Sequence, residues 1–276
     1  MITDQYAVMG NPIAHSKSPL IHAAFARATK QELVYRAILV EPGEFFTAVA
    51  NFRATGGKGL NITVPFKGEA YSVAEILSAR AKRALAVNTL YFNPEGYIYG
   101  DNTDGIGLVR DLTNNLGITL SGCRLLLIGA GGAARGILDP LFSAGVQSIF
   151  IVNRTAERAR ELAVAFTDLG EIAGGGWSEL PPGHFDLIIN ATSASLIGEI
   201  PPLPEDIITG TVCYDLMYST SRTPFLSWAH LHGAKRIADG LGMLVEQAAE
   251  SFYLWRGIRP ATAPLLSELH NRLETR

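Results

Sequence analysis

Cysteine is scarce in this chain, with only Cys123 and Cys213. Both lie in apolar or β-branched runs, so they read as buried free thiols of a reducing compartment and not as a disulfide. Long apolar runs are also missing. No stretch of about 18 uncharged apolar residues occurs, which argues against a membrane span. Neither sign of charge is in excess: 23 basic and 26 acidic residues leave a net charge of −3. That balance gives no electrostatic footprint for nucleic acid or an anionic membrane. The opening segment carries Asp4 and no basic n-region, so no secretory signal and a cytoplasmic location are expected. The six histidines are scattered, with no His-Glu-x-x-His and no Cys/His cluster at metal spacing. No metal site is expected.

What is present fits an ordinary globular protein: 47% hydrophobic and 18% charged residues in a chain of 276, enough for about two domains. Short β-like runs alternate with helical stretches nearly throughout, the pattern of a parallel α/β sheet. Strands are expected at Gln5–Met9, Leu33–Leu39, Gly59–Val64, near Asn88–Phe92 and Tyr97–Gly100, and at Arg124–Ile128, Ser148–Val152, Asp186–Asn190 and Val212–Asp215. After a loop, Asn11–Pro19, a helix should bury Leu20, Ile21, Ala24, Phe25 and Ala28. A long helix over roughly Gly105–Gly117 should cross to a second unit. A last long helix, Leu241–Trp255, should bury Leu241, Leu244, Val245, Ala248, Phe252 and Trp255 on one stripe. The best break lies near Thr103–Gly105.

The apolar strand Arg124–Ile128 runs directly into Gly129-Ala130-Gly131-Gly132-Ala133-Ala134 and a helix. Strand, G-x-G-x-x-A and helix form the arrangement that binds a dinucleotide pyrophosphate. Gly129 makes the tight turn, Gly131 admits the phosphates, and Ala134 fills the small position where helix meets strand. The helix N-terminus adds free N–H groups and a positive dipole end. An NAD site normally places an acid about 20 residues on, for the ribose 2′-hydroxyl. Here that position reads Asn153-Arg154-Thr155, with Arg158 a turn later. Two guanidinium groups and no carboxylate suit a 2′-phosphate. Cations near a helix start oppose its dipole unless an anion joins them. The cofactor implied is NADP.

Ser16 and Ser18 flank Lys17 just before Pro19. Ser18 reads either as the N-cap of the next helix or, with Ser16, as a hydroxyl pair for a carboxylate. Asn61 and Thr63 fall on one side of an extended strand, and Lys67 follows Pro65 where that strand ends. Lys67 is either a solvated cation or a functional amine. Asn88 closes a helical segment. Asp104, within Gly100-Asp-Asn-Thr-Asp-Gly105, is either a helix cap or a functional carboxylate.

These segments together resemble the shikimate dehydrogenase family over essentially the whole chain. The matching stretches are Gly10-Asn-Pro-Ile-Ala-His-Ser-Lys-Ser-Pro19, Asn61-Ile-Thr-Val-Pro-Phe-Lys67, Ala86-Val-Asn-Thr89, Gly100-Asp-Asn-Thr-Asp-Gly105, Gly129-Ala-Gly-Gly-Ala133, Asn153-Arg-Thr155, Asn190-Ala-Thr-Ser193 and Asp239-Gly-Leu-Gly-Met-Leu-Val-Glu-Gln247. The resemblance implies two α/β domains: a substrate-binding domain of residues 1–104 plus 240–276, to which the C-terminal helices return, and a Rossmann-like NADP domain of residues 105–239. It implies NADPH-linked reduction of 3-dehydroshikimate to shikimate, in a monomer or homodimer whose partner is a small-molecule substrate. Lys67 and Asp104 would be the catalytic pair. Ser16, Ser18 and Tyr218 would hold the substrate carboxylate. Thr63, Asn88 and Gln247 would bind ring hydroxyls, with Asn61 close by. The backbone of Gly129, Ala130, Gly131, Gly132 and Ala133 would cradle the pyrophosphate. Asn153, Arg154, Thr155 and Arg158 would surround the 2′-phosphate. Thr192, Leu216, Gly240 and Met243 would line the nicotinamide.

Two positions depart from the family. Many relatives carry a glycine within two residues of Asn190-Ala-Thr-Ser193, where this chain reads Ala194-Ser195-Leu196. Ala79 stands where some relatives have an acid, and takes no role. Two rival readings remain: a quinate/shikimate dehydrogenase of dual specificity, against which the Arg154/Arg158 pair counts, and a non-catalytic NADP-sensing protein, which would need neither Lys67 nor Asp104.

Overall fold

The computed structural model describes residues 3–219 and 221–274. The chain forms two compact units, Met1–Gly107 with Val245–Glu268, and Leu108–Leu244 with Leu269–Arg276. Residues 275–276 of the expected 240–276 segment lie outside the described residues.

The first unit runs β1 (Asp4–Gly10), α1 (Ser18–Thr29), β2 (Leu33–Leu39), α2 (Phe45–Ala54), β3 (Gly57–Ile62), α3 (Lys67–Val73), β4 (Ile76–Leu77), α4 (Ala79–Ala84), β5 (Thr89–Phe92) and β6 (Ile98–Asp101). Its six strands take the order β2-β1-β3-β5-β6-β4. β1 is parallel to β2 and β3, but β5 is antiparallel to both β3 and β6. The sheet is therefore mixed, where unbroken α/β alternation predicts a parallel one. The tight turn between Phe92 and Ile98 explains this, because a parallel return needs a crossover of a dozen or more residues. Ala7, Met9, Phe45, Val49, Phe52, Leu60, Ile62 and Leu90 build the core against one face.

Two expectations for α1 change. Its buried residues are Ser18, Ile21, His22, Phe25 and Ala26, while Leu20 and Ala28 are exposed. The stripe is turned by His22, whose ring is buried among aromatics. Ser18 is not the N-cap; Lys17 is, and no side chain caps the helix.

α5 (Asp104–Arg110) ends sooner than the expected Gly105–Gly117 helix and passes into a π-helical turn, Asp111–Asn115. The cause is a buried carboxylate held from two sides. Tyr214 Oη donates to Asp111 Oδ2 at 2.7 Å, and Asn115 Nδ2 donates to Oδ1 at 2.9 Å. The widened turn gives that side chain room.

The second unit continues with β7 (Arg124–Ile128), α6 (Gly132–Ser143), β8 (Ser148–Val152), α7 (Ala156–Val164), β9 (Glu171–Gly175), β10 (Leu187–Asn190), β11 (Val212–Asp215), α8 (Pro224–Leu231) and β12 (Arg236–Asp239). Its strand order is β12-β11-β10-β7-β8-β9 with every pair parallel. Read from β9, this is the doubly wound 3-2-1-4-5-6 order, whose switch point lies between β7 and β10. β7 is buried on both faces, with Leu125 and Leu127 in one cluster and Leu126 and Ile128 in the other. Each such side chain contributes about 1.5–3 kcal/mol. Cys123 and Cys213 are buried and unpaired, and burial pushes both thiols up to about 12.

α9 (Leu241–Arg256) is followed by α10 (Ala263–Glu274), so the helix expected to be the last long one is not. Nor is α9 buried on a single stripe, since Glu246, Glu250 and Ser251 are buried too. Thr262 Oγ1 donates to Glu246 at 2.6 Å, and Arg80 Nη2 donates to Glu250 at 3.0 Å. These partners make a polar face tolerable inside. No described helix is long and apolar enough to cross a membrane.

Candidate active site

In the first unit, Lys67 opens α3 directly after Pro65-Phe66, so the end of β3 and the helix start fix its backbone. Its Nζ lies 2.5 Å from Asp104 Oδ2, with the side chains 30% and 14% exposed. The two side chains are therefore paired with each other. Asp104 is the first residue of α5, yet its carboxylate faces Lys67 and Asn88. The backbone N–H of Asp104 is met by Asn102 Oδ1 at 3.2 Å.

Asn88 is the hub. Its Nδ2 donates to Asp104 Oδ1 at 2.8 Å, Thr103 Oγ1 at 2.9 Å and Gln247 Oε1 at 3.2 Å. Its Oδ1 accepts from Thr103 N at 2.8 Å and Thr89 Oγ1 at 2.9 Å. A buried network satisfied this fully is rigid. Gln247 reaches it because α5 and α9 approach closely: a Cβ at Gly107 would stand 2.7 Å from the Gln247 backbone nitrogen.

Asn61 was expected near ring hydroxyls, but it is 6% exposed and committed to protein partners. Its Oδ1 accepts from Tyr35 Oη at 2.8 Å, and its Nδ2 donates to Ser251 Oγ at 3.0 Å and Thr89 Oγ1 at 3.2 Å. It braces the Asn88 network from behind. Thr63 is half-buried just beyond β3, held by its N–H to Met9 O at 3.0 Å. Ser16 Oγ accepts from Ser18 N at 3.3 Å and keeps its own proton to donate. His22, absent from the sequence-derived set, stacks on Tyr35 at 4.1 Å with the rings 7° apart. Its only signal was a polar residue beside Ile21 on a helix with an otherwise apolar face.

In the second unit, the strand register aligns Val152, Ile128, Asn190, Asp215 and Asp239 across the sheet. The segments after these residues share one rim at the carboxyl ends, where open α/β sheets bind ligands. They hold Asn153, Gly129, Thr192, Leu216 and Gly240. Gly129 has φ +103, a conformation that favours glycine, and its Cβ would meet Thr192 Cγ2 at 2.9 Å. Gly131 is the N-cap of α6, with no side-chain cap. A Cβ built on Gly131 or Gly132 meets nothing within 4 Å, so the protein itself does not require these glycines. Exposed backbone at a helix start, with no side chain over it, fits a pyrophosphate.

Past β8, Asn153 Nδ2 donates to Thr155 O at 2.9 Å, shaping the turn into α7. Arg154 and Arg158 are both exposed, and neither forms an ion pair among the described residues. Arg160, on the same helix, is instead saturated by Glu179 at 2.7 Å and Glu157 at 3.2 Å. Two guanidinium groups left free at this rim fit a phosphate on the adenosine ribose. Leu216 is buried, and Met243 and Tyr218 are half-buried. Burial pushes the Tyr218 phenol up, and nearby Asp239 adds to this. The stretch Ala194-Ser195-Leu196, which lacks the glycine of many relatives, lies in a short 3-10 helix, Ala194–Ile197.

A lysine–carboxylate pair on a mixed α/β sheet and a doubly wound sheet with an open glycine turn define a two-unit protein of the dinucleotide-dependent enzyme class. Comparison with known proteins narrows the class. Residues 8–90 match the shikimate dehydrogenase substrate binding domain, residues 111–197 the shikimate / quinate 5-dehydrogenase family and residues 240–269 the shikimate 5'-dehydrogenase C-terminal domain. The chain is 57% identical over 274 residues to a shikimate dehydrogenase (NADP(+)) of Dechloromonas aromatica, covering 99% of each. An Ael1 enzyme from Pseudomonas putida shares the fold at TM-score 0.92 and 46% identity, over 97% of this chain and 98% of that one. The shikimate 5-dehydrogenase of Thermus thermophilus, solved with NADP(H) and shikimate, matches at TM-score 0.83 and 31% identity, over 98% and 99% of the two chains. The chain belongs to the shikimate dehydrogenase family.

Proposed function

We propose that the chain catalyses the reversible NADPH-linked reduction of 3-dehydroshikimate to shikimate, a step toward aromatic amino acids, as a cytoplasmic monomer or homodimer. Relatives named shikimate dehydrogenase (NADP(+)) at 51–57% identity support the activity and the cofactor. The reading rests most heavily on the 2.5 Å contact between Lys67 Nζ and Asp104 Oδ2.

When bound, NADPH supplies the hydride for the C3 ketone. Lys67 gives its ammonium proton to the developing alkoxide oxygen, and in the reverse direction its neutral amine takes that proton back. Asp104 holds Nζ through Oδ2 and also accepts from the neighbouring ring hydroxyl. Asn88 keeps the Asp104 carboxylate turned toward the lysine at 2.8 Å. Thr63 and Gln247 contact ring hydroxyls. Ser16 and Ser18 bind the carboxylate, while Asn61 braces the network. In the second unit the Gly129–Ala133 backbone holds the pyrophosphate. Asn153, Arg154, Thr155 and Arg158 surround the 2′-phosphate. Thr192, Leu216, Gly240 and Met243 face the nicotinamide.

Initial rates with shikimate and quinate, each with NADP and NAD, test this. Shikimate with NADP should give the highest kcat/KM. Equal efficiency with quinate, or with NAD, would reject the substrate or cofactor assignment respectively.

A further inference from the structure

We infer that Asp215 is a positioning residue for hydride transfer, its carboxylate tying together the loops that carry Thr192, Leu216 and Gly240. The inference rests on the functional reading above and gives a role to a residue that has no part in it.

Asp215 ends β11 and is fully buried, in register between Asn190 and Asp239. Burying a carboxylate is costly unless donors occupy its lone pairs. Four do so here. Oδ2 accepts from Ser195 Oγ at 2.6 Å and Thr223 Oγ1 at 2.7 Å, and Oδ1 from Met217 N at 3.1 Å and Asn190 Nδ2 at 3.3 Å.

Three of these donors lead to the cofactor rim. Ser195 anchors the 3-10 turn that follows Thr192. Asn190 Oδ1 accepts from both Thr192 N at 3.1 Å and Thr192 Oγ1 at 2.7 Å. Thr192 in turn packs against the Gly129 turn. Met217 N fixes the segment after Leu216, and Met217 O accepts from Gly240 N at 3.2 Å. Gly240 is pressed so closely on Leu216 that a Cβ would lie 2.1 Å from its carbonyl oxygen. Loops after β10, β11 and β12 are thus set by one carboxylate. A role confined to the fold would need only Thr223, which caps α8 through Leu226 N at 3.3 Å.

The phosphate contacts at Gly131, Arg154 and Arg158 do not involve Asp215. Loosening the loops should therefore misplace the nicotinamide without releasing the cofactor, and displacement of about 1 Å costs up to about a hundredfold in rate.

The test is single-turnover NADPH oxidation by the full chain, in excess over NADPH and with saturating 3-dehydroshikimate, for Asp215→Asn and Ser195→Ala. The rate constant should fall roughly ten- to a hundredfold for Asp215→Asn and about three- to tenfold for Ser195→Ala. Amplitude should hold, and the NADPH Kd should stay within about threefold. A residue that only stabilises the fold would lower the number of NADPH-binding sites found in the Kd titration at an unchanged rate constant. That result, or unchanged rates in both variants, would overturn the inference. Should Asp215→Asn not fold, the half-buried Ser195 still decides the matter. Failure of the unaltered chain to oxidise NADPH would instead reject the functional reading.

Discussion

His22 should make this protein acid-labile in a way that one substitution removes. Its imidazole is 1% exposed, neither ring nitrogen has a hydrogen-bond partner, and Tyr35, Phe25, Phe252 and Trp255 surround it. Burial pulls its pKa from the ordinary 6.5 to about 3. The ring is thus neutral in the native state, whereas an unfolded chain protonates it below about 6.5. The stability it confers is full above that pH and is lost as pH falls toward 3, at about 1.36 kcal/mol per pH unit. Between pH 7.5 and pH 5 the loss is about 2 kcal/mol, and across the whole window at most about 5 kcal/mol. Phenylalanine keeps a flat aromatic ring of similar size and does not titrate. Urea unfolding of the unaltered chain and of His22→Phe should therefore be compared at both pH values. The difference in unfolding free energy between the two proteins should shift by about 2 kcal/mol in favour of the variant at pH 5. Because all other titratable groups are the same in both, a constant difference would refute the reasoning. It would mean that the native imidazole takes up its proton as readily as the unfolded one.

Lys67→Ala should lower kcat by about 10²–10⁴-fold with little change in shikimate KM, since an interaction made in the transition state is lost; retained kcat with weakened binding, by steady-state kinetics and a shikimate titration, would make the lysine an anchor. Asp104→Asn should worsen both parameters in the same assays. Arg154→Ala should raise the NADP KM by roughly one to two decades, from a loss of about 1.5–3 kcal/mol, and leave NAD kinetics nearly unchanged. Gly107→Ala should cost about 1–3 kcal/mol in thermal unfolding and weaken shikimate binding, because its Cβ would sit 2.7 Å from the Gln247 backbone.

The segments legible in the sequence are those whose signal is local. β2, β7, β8 and β11 lie where their apolar runs predict them, and the glycine turn follows β7 at the expected residues. β9 and β12 were not visible, because Glu-Ile-Ala-Gly-Gly and Arg-Ile-Ala-Asp are short, polar or glycine-rich edge strands whose partners alone define them. α8 had a readable start, Thr223 capping before Pro224, but only eight residues of pattern. Lys67 and Asp104 could be named from motifs, but that they pair with each other is visible only in the folded chain. His22 and Asp215 were illegible for another reason. A polar residue on an apolar element reads as its edge, and only the three-dimensional partners reveal that it is buried.

The division of the chain into units also orders its synthesis. Asn61, Thr89 and Thr103 need Ser251, and Leu90 O needs Trp255 Nε1 at 3.0 Å, all within the first unit. Between them in sequence stands the whole Leu108–Leu244 segment. At about 5–20 residues per second, the N-terminal sheet waits several seconds or more on the ribosome with the Trp255 position empty beside Gly59. The nucleotide-binding sheet is complete before the substrate-binding one can close, although it begins later in the chain. A nascent chain halted short of residue 245 would therefore hold a complete nucleotide-binding sheet beside a first unit exposing the face that α9 covers.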